Sequence, residues 1–454
     1  MPNQLNRTLT FGKLVFLGLA FMTMMIVFTT YGIVSQRTQG MVAASYVIVL
    51  IAMLFNVYSY GKMVKIYPLA GSAYAFAQKS IHPAAGFFVG WSIMMDYLLT
   101  PMLNYLVVGV YLSTAFPIVP IWAWIIFFII IITLINILGV TLTANINLIL
   151  VGFQVLVIVI FVALSIKSIL EGEGTGNLFS SLPFFNSEVP FSDVTAGAAI
   201  LFLSFLGFDT ITTFSEETVN PTKTIPKAMF AIVLIGGSSF IFLSYIIQQV
   251  HPDFLNFNDL DAAGFEVVAA VTGNIFTAVF LAGYVVACFA SALVSHAGVS
   301  RFLFAMGRDG VFPKKIFGYI SPKFQVPIFN ILIVSGISLL ALVAHVDIIL
   351  AFINFGVLVA FMFVNLSVIA HYYIKDRTRK SPKKIFLYLI LPTIGIAINF
   401  WLWTNLGANT LLIGGIWVSA GLIYLAILTR FFRNPIPVVN IDELESAENE
   451  KESI

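Results

Sequence analysis

Two carboxylates, Asp96 and Asp209, stand inside long apolar runs, and each lies near a residue that loosens a helix. An ionisable side chain at bilayer depth costs a few kcal/mol or more and as a rule faces a cavity or a partner. Asp96 lies about 12 residues into its run, which at about 1.5 Å per residue is roughly mid-bilayer. Pro101 follows it, and the proline ring leaves the carbonyl of Tyr97 without its helical hydrogen bond. A carboxylate beside a freed carbonyl makes a cation-binding pair. The alternative is an aspartate satisfied by a neighbouring Tyr or Asn, such as Asn104. Asp209 lies in "SFLGFDTITTFSEET" (204–218). Gly207, flanked by Phe205 and Phe208, either breaks the helix or serves helix packing. If the helix breaks there, Asp209 falls in the first turn of a second half-helix, whose positive dipole end favours an ionised carboxylate.

Other polar groups fall around this pair. Glu216 follows Asp209 on the same helical face and, with Glu217, suits an inner gate or an interfacial ion pair to Arg301 or Arg308. His296 is the histidine placed deepest for carrying a proton; its alternative is a hydrogen bond to a neighbouring hydroxyl. Gln154 is the polar group in the middle of the fifth run. The 44 Phe read as lipid-facing bulk.

Twelve apolar runs must position these groups. Only 10% of the 454 residues are charged and 59% are hydrophobic, against roughly 25% charged in a soluble domain. A spanning helix needs about 20 apolar residues. Runs of that kind fall at 14–34, 42–64, 84–116, 119–140, 144–169, 194–217, 227–249, 274–305, 327–345, 347–373, 384–405 and 411–432. The expected fold is an all-α integral membrane protein with about twelve transmembrane helices. The segment 65–83 reads as a surface stretch leading into the third run. Residues 1–13 precede the membrane domain, and 433–454 form an acidic, disordered tail. With the N-terminus inside, 21 of the 23 basic residues fall on the cytoplasmic side and Arg37 and Lys167 outside. Lys and Arg concentrate on the cytoplasmic side of membrane proteins, so both termini are expected there. The first run is too long for a signal-peptide core. Cys288 is the single cysteine, and the five histidines lack metal spacing. No phosphate loop or nucleophile elbow appears, so neither a cofactor nor covalent chemistry is expected. The basic clusters read as orientation signals and not as nucleic-acid sites.

Four segments together resemble the amino acid–polyamine–organocation superfamily: "YPLAGSAYAFAQKSIHPAAGFFVGW" (67–91), "FLGFDTITTFSEETVNPTKTIPKA" (205–228), "SRFLFAMGRDGVFP" (300–313) and "NFGVLVAF" (354–361). Within it the chain is most similar to bacterial putrescine importers, chiefly through "GWSIMMDYLLTPM" (90–102) and "SHAGVSR" (295–301). The resemblance implies a 5+5 inverted repeat, about 14–170 and 194–373, with helices 384–432 appended. It implies helices 1 and 6 broken at mid-membrane around the substrate. The matching positions are Thr23 and Met24 for the first break, Phe205, Gly207, Phe208 and Asp209 for the second, Asp96 and Tyr97 on helix 3, and Asn354 on helix 10. Glu216, Arg301, His296, Ser291 and Ser295 fall in the gating or coupling region.

What the resemblance implies is a secondary-active plasma-membrane importer of a small amine or amino acid, putrescine for preference, with protons as the coupling ion. A diamine is a dication and calls for about two carboxylates, because an unpaired buried charge is costly. Two departures from the family pattern bear on the cargo. Helix 1, "GLAFMTMMIVFTTYGIVSQ" (18–36), lacks a Gly-Ser-Gly-like break. Thr29 and Met24 stand where the putrescine importers tend to carry Asp and Pro. An amino acid permease of the same fold is therefore the competing expectation, and a channel or receptor a remote third.

Overall fold

The computed structural model describes residues 7–257, 260, 262–376, 381–431 and 433–438, and side chains within these except at 346–348 and 351. The acidic tail beyond 438 and Arg377, Arg379 and Lys380 lie outside the described residues. In lipid every backbone N–H and C=O must be satisfied within the protein, so long apolar runs become helices. Among the described residues nine helices are long and apolar enough to cross a membrane, and Phe11–Met22 with Ile26–Arg37 form one more span bent by 45°. Two shorter apolar helices, Ile121–Ile137 and Ile328–Leu342, bring the set to twelve.

Span 1 is that bent pair, and spans 2 to 5 are Val42–Ile66, Pro83–Ala115, Ile121–Ile137 and Val140–Leu170. Span 6 is Phe191–Glu217, span 7 Pro221–Val250 and span 8 the later part of Ala263–Arg308. Span 9 is Ile328–Leu342. Span 10 follows within Val346–Lys375, then spans 11 (Pro382–Thr404) and 12 (Ala408–Leu428).

The first five spans and the next five share one order. A broken helix comes first, a long unbroken one second, then a short helix lying outside the spans, then three more. The short helix of the first set is Ser72–Ser80; that of the second is the stretch before Gly273, whose φ of 73° kinks Ala263–Arg308. Five is odd, so the second set starts on the opposite face and is inverted relative to the first. Burial ranks the spans. Span 6 is 72% buried over its apolar window and span 12 only 17%, which puts span 6 at the centre and span 12 against lipid.

Two expectations need correcting. Residues 72–78 are not at the surface: Ala73, Tyr74, Ala75, Phe76 and Ala77 have no exposed area, because the helix is wedged between spans 3 and 10. Nor are the phenylalanines mostly lipid-facing bulk. Phe28, Phe76, Phe161, Phe205, Phe208 and Phe361 are fully enclosed, each meeting another ring edge-on where the inner helices pack.

Candidate functional site: two broken helices and two buried aspartates

The first helix stops at Met22, and Thr23 takes φ 49° and ψ 94° before the chain re-enters a helix at Ile26. A non-glycine residue there is strained, and hydroxyls hold it. Thr23 Oγ1 donates to the Ala20 carbonyl at 3.1 Å, and Ser291 Oγ of span 8 donates to the Phe21 carbonyl at 3.1 Å. These are carbonyls that an unbroken helix would have satisfied itself. Met24, beside Thr23, is buried.

The sixth span breaks more sharply. Phe205 ends a turn, Leu206 is extended, and Gly207 has φ 103°. A β-carbon on Gly207 would run into the Phe21 ring, so the two breaks face each other. Beyond Asp209 the chain winds as a 3-10 helix, Thr210–Glu217, and not as the α half-helix the sequence suggested. The hydroxyls explain this: Thr212, Thr213 and Ser215 donate to the carbonyls three residues earlier, at 2.6, 2.6 and 2.5 Å. Such side-chain bonds compete with the helical ladder.

Asp209 heads this 3-10 segment with no exposed area, and its Oδ2 accepts from the Tyr97 hydroxyl at 2.8 Å. The carboxylate lies against the backbone N–H groups of Gly207 and Thr210, while Oδ1 has no well-formed hydrogen bond. Asp96 on span 3 is 1% exposed, and its Oδ1 accepts from Thr100 Oγ1 at 2.9 Å. The Asn104 amide does not reach it but donates to the Thr100 carbonyl and to Ser291. The two carboxylates are close enough to interact electrostatically. Neither has a salt-bridge partner among the described residues. Both carboxylates are thus enclosed by protein.

The remaining candidates divide. Phe208 packs against Tyr60 and Phe361, and Phe205 against Phe240 and Tyr46, forming the site's apolar wall. Asn354 lies half-buried on span 10, two residues before Gly356, which packs against the Ser92 carbonyl of span 3. His296 is bound at both nitrogens. Its Nε2 donates to the Ile331 carbonyl at 3.0 Å and its Nδ1 accepts from Tyr105 at 2.9 Å, tying spans 3, 8 and 9. Among the described residues Ser295 bonds only within its own helix, to the Ser291 and Ala292 carbonyls. Thr29, half-buried, donates to the Ile26 carbonyl at 3.0 Å and lies beside the Tyr284 hydroxyl.

Toward the face that carries the N-terminal segment, ion pairs close the structure. Glu216 and Arg301 are not partners. Arg301 Nη2 meets Glu217 Oε1 at 2.9 Å, with a second contact from Nε to Oε2, the pair being 2% and 1% exposed. Arg301 also covers the Phe214 ring and donates to the Ala297 carbonyl. Glu216 takes Arg308 at 2.7 Å and the Ala70 N–H at 3.3 Å. At the end of the span, burial pushes the Asp309 carboxyl above the usual carboxylate range, against the pull of Arg308. Thr8 and Leu9 donate their N–H groups to the Glu217 carbonyl, and Val219 N–H returns to Leu9. On the opposite face the Tyr31 hydroxyl donates to Gln248 at 2.5 Å, and Gly264 packs on the Phe28 backbone. Sequence reasoning had not found Tyr60, Thr100 or Ser72 at the site; no charge or spacing marks them in their apolar helices.

Twelve spans, inverted halves and two facing breaks define a polytopic membrane protein that encloses a small polar site at its centre. The chain belongs to the amino acid permease family, which matches residues 13–430. The low-affinity putrescine importer PlaP of Escherichia coli (strain K12) is 44% identical over 434 residues, 96% of each chain. The branched-chain amino acid permease BcaP of Bacillus subtilis (strain 168) is 25% identical over 413 residues, 85% of each. The methylthioribose transporter of the same strain is 24% identical over 454 residues, 94% of each.

Proposed function

We propose that this protein is a secondary-active importer of a small amine, putrescine for preference, driven by protons or by the membrane potential. The observation that carries the reading is the pair Asp96 and Asp209, two enclosed carboxylates within interaction range and without a basic partner among the described residues. A diamine supplies the two positive charges such a site calls for. The likeness to an importer of putrescine over 96% of the chain supports it. For a dication, 100 mV contributes about 4.6 kcal/mol, twice the single-charge value.

In this reading residues 14–432 are one transport domain in the plasma membrane, and residues 1–13 and 433–454 lie in the cytoplasm. The skew of 21 basic residues in 23 supports that orientation. The two left outside sit beside acids, Arg37 near Asp193 at 3.9 Å and Lys167 near Glu171 at 3.7 Å. The Glu217–Arg301 and Glu216–Arg308 layer is then the cytoplasmic gate. Thr23, Met24, Phe205, Gly207, Phe208, Tyr97 and Asn354 line the path around the two aspartates.

Thr29 favours a second reading, an amino acid permease of the same fold. With one carboxylate fewer, the N–H groups of the first break would take the substrate's own carboxylate. Thermal stabilisation of the purified protein by millimolar putrescine, cadaverine, spermidine and the common amino acids separates the two, since a ligand of the folded state raises its stability by about RT ln(1 + [L]/Kd). Shifts with diamines alone support the first reading, and shifts with one class of amino acid alone replace it with the second.

A further inference from the structure

Tyr60, on span 2, belongs to neither broken helix, yet it packs against Phe208, the residue before Asp209. It has no exposed area, and among the described residues its hydroxyl makes no well-formed hydrogen bond, with Ser72 the hydroxyl beside it. The hydroxyl lies within electrostatic range of Asp209 first and Asp96 second, and of the Tyr97 hydroxyl. Its ring is fixed edge-on by three others, Phe76 at 6.1 Å, Phe208 at 5.7 Å and Phe361 at 5.6 Å. The neighbouring Ser72 hydroxyl is bonded to Thr212 Oγ1 at 2.6 Å and, whichever way it meets Tyr60, leaves the phenol oxygen a lone pair free to accept. Burying a hydroxyl without a partner is unfavourable, and phenylalanine would fill the same space among these rings at no such cost.

We propose that Tyr60 is a specificity-determining residue, its hydroxyl accepting an N–H of the ammonium group that Asp209 binds. A primary ammonium carries three N–H donors. An ionised carboxylate offers acceptors alone, whereas a phenol can both accept and donate. The Tyr97 hydroxyl gives its proton to Asp209, and Tyr60 adds a second neutral acceptor that is committed to neither carboxylate. The site therefore selects primary amines over N-methylated ones, which have fewer N–H donors to offer. The inference rests on the reading of Asp209 as the ammonium site, but not on the substrate being a diamine, since an amino acid carries the same primary ammonium.

The test is Tyr60→Phe in proteoliposomes, with uptake of putrescine and leucine measured, and inhibition of that uptake by tetramethylputrescine. Loss of a hydrogen bond to a charged group predicts a KM for the transported primary amine raised roughly tenfold or more, with the maximal rate little changed. The preference for putrescine over tetramethylputrescine should fall by a similar factor, which a purely structural role would not produce. The variant should melt no lower than the parent, because it removes a buried hydroxyl that makes no well-formed hydrogen bond. An unchanged KM, or an equal loss of affinity for both amines, overturns the inference. If the parent protein takes leucine and no diamine, the diamine reading fails, and the same variant's KM for leucine decides this one.

Discussion

The hydroxyl of Tyr97 donates to Oδ2 of Asp209 across 2.8 Å, joining span 3 to the break in span 6. Asp96 precedes Tyr97 in sequence, so one turn of span 3 presents both a carboxylate and the group that orients the other carboxylate. Asp209→Asn should lower uptake by about a hundredfold or more, because the substrate's charge loses its buried partner. Folding should be retained, since Asp209 has no cation to leave unpaired. Tyr97→Phe should cost about tenfold, the value of a hydrogen bond to a charged group. Uptake into proteoliposomes, with a melting curve for each variant, reads both effects. Normal transport by Asp209→Asn would remove Asp209 from the site.

Gly207 holds a conformation closed to other residues. Its φ is 103°, and any β-carbon would meet the ring of Phe21. Gly207→Ala should therefore reduce transport at least about tenfold, given a backbone cost of roughly 1–3 kcal/mol before the clash is counted. Adding Phe21→Ala relieves the clash but leaves the backbone strained, so the double variant should recover only part of the loss. Full recovery would mean that the break tolerates a side chain and that the clash alone mattered.

The two ion pairs, Glu217–Arg301 and Glu216–Arg308, should differ in worth. Arg301 and Glu217 are 2% and 1% exposed, whereas Arg308 and Glu216 are each 21% exposed. Arg301→Met alone strands a buried carboxylate and should cost about 3–5 kcal/mol. Glu217→Leu together with Arg301→Met should recover most of it. Glu216→Gln, at a partly solvated pair, should cost about 1 kcal/mol or less. Melting temperatures in one detergent rank the three, and equal losses for Arg301→Met and Glu216→Gln would contradict the assignment.

Thr29 lies beside Tyr284 and is half-buried on the second half of span 1. Thr29→Asp adds a third carboxylate on the half of span 1 that follows the break. The unliganded variant should melt lower, since a buried unpaired charge is unfavourable. Spermidine, with one more positive charge than putrescine, should then stabilise it more than it stabilises the parent. A spermidine shift no larger than in the parent would place Thr29 away from the substrate path.

The sequence carried the fold further than the site. Apolar runs predicted the spans to within a few residues; Pro83 at the head of span 3 and the kink at Gly273 sit where polarity changes along the chain. The second break was legible because glycine and aspartate stand two apart in an apolar helix. The first was placed at Thr23 and Met24 by resemblance, and no composition marks it. The pairing of Arg301 with Glu217, and not with Glu216, depends on the 3-10 winding of residues 210–217, which rotates successive side chains differently from an α-helix. Tyr60 and the enclosed helix at 72–80 were missed for a related reason. An aromatic or alanine-rich face looks the same whether it meets lipid or other helices.

Leu9 is bonded to the end of span 6 through the Glu217 carbonyl and the Val219 N–H. Thr8 and Leu9 therefore cannot take their final place until six spans have been synthesised and inserted. A nascent protein halted before residue 217 should carry an N-terminal segment open to proteases, however completely its first spans are embedded. Closure of that face thus waits for the sixth span, although Leu9 precedes the first in sequence.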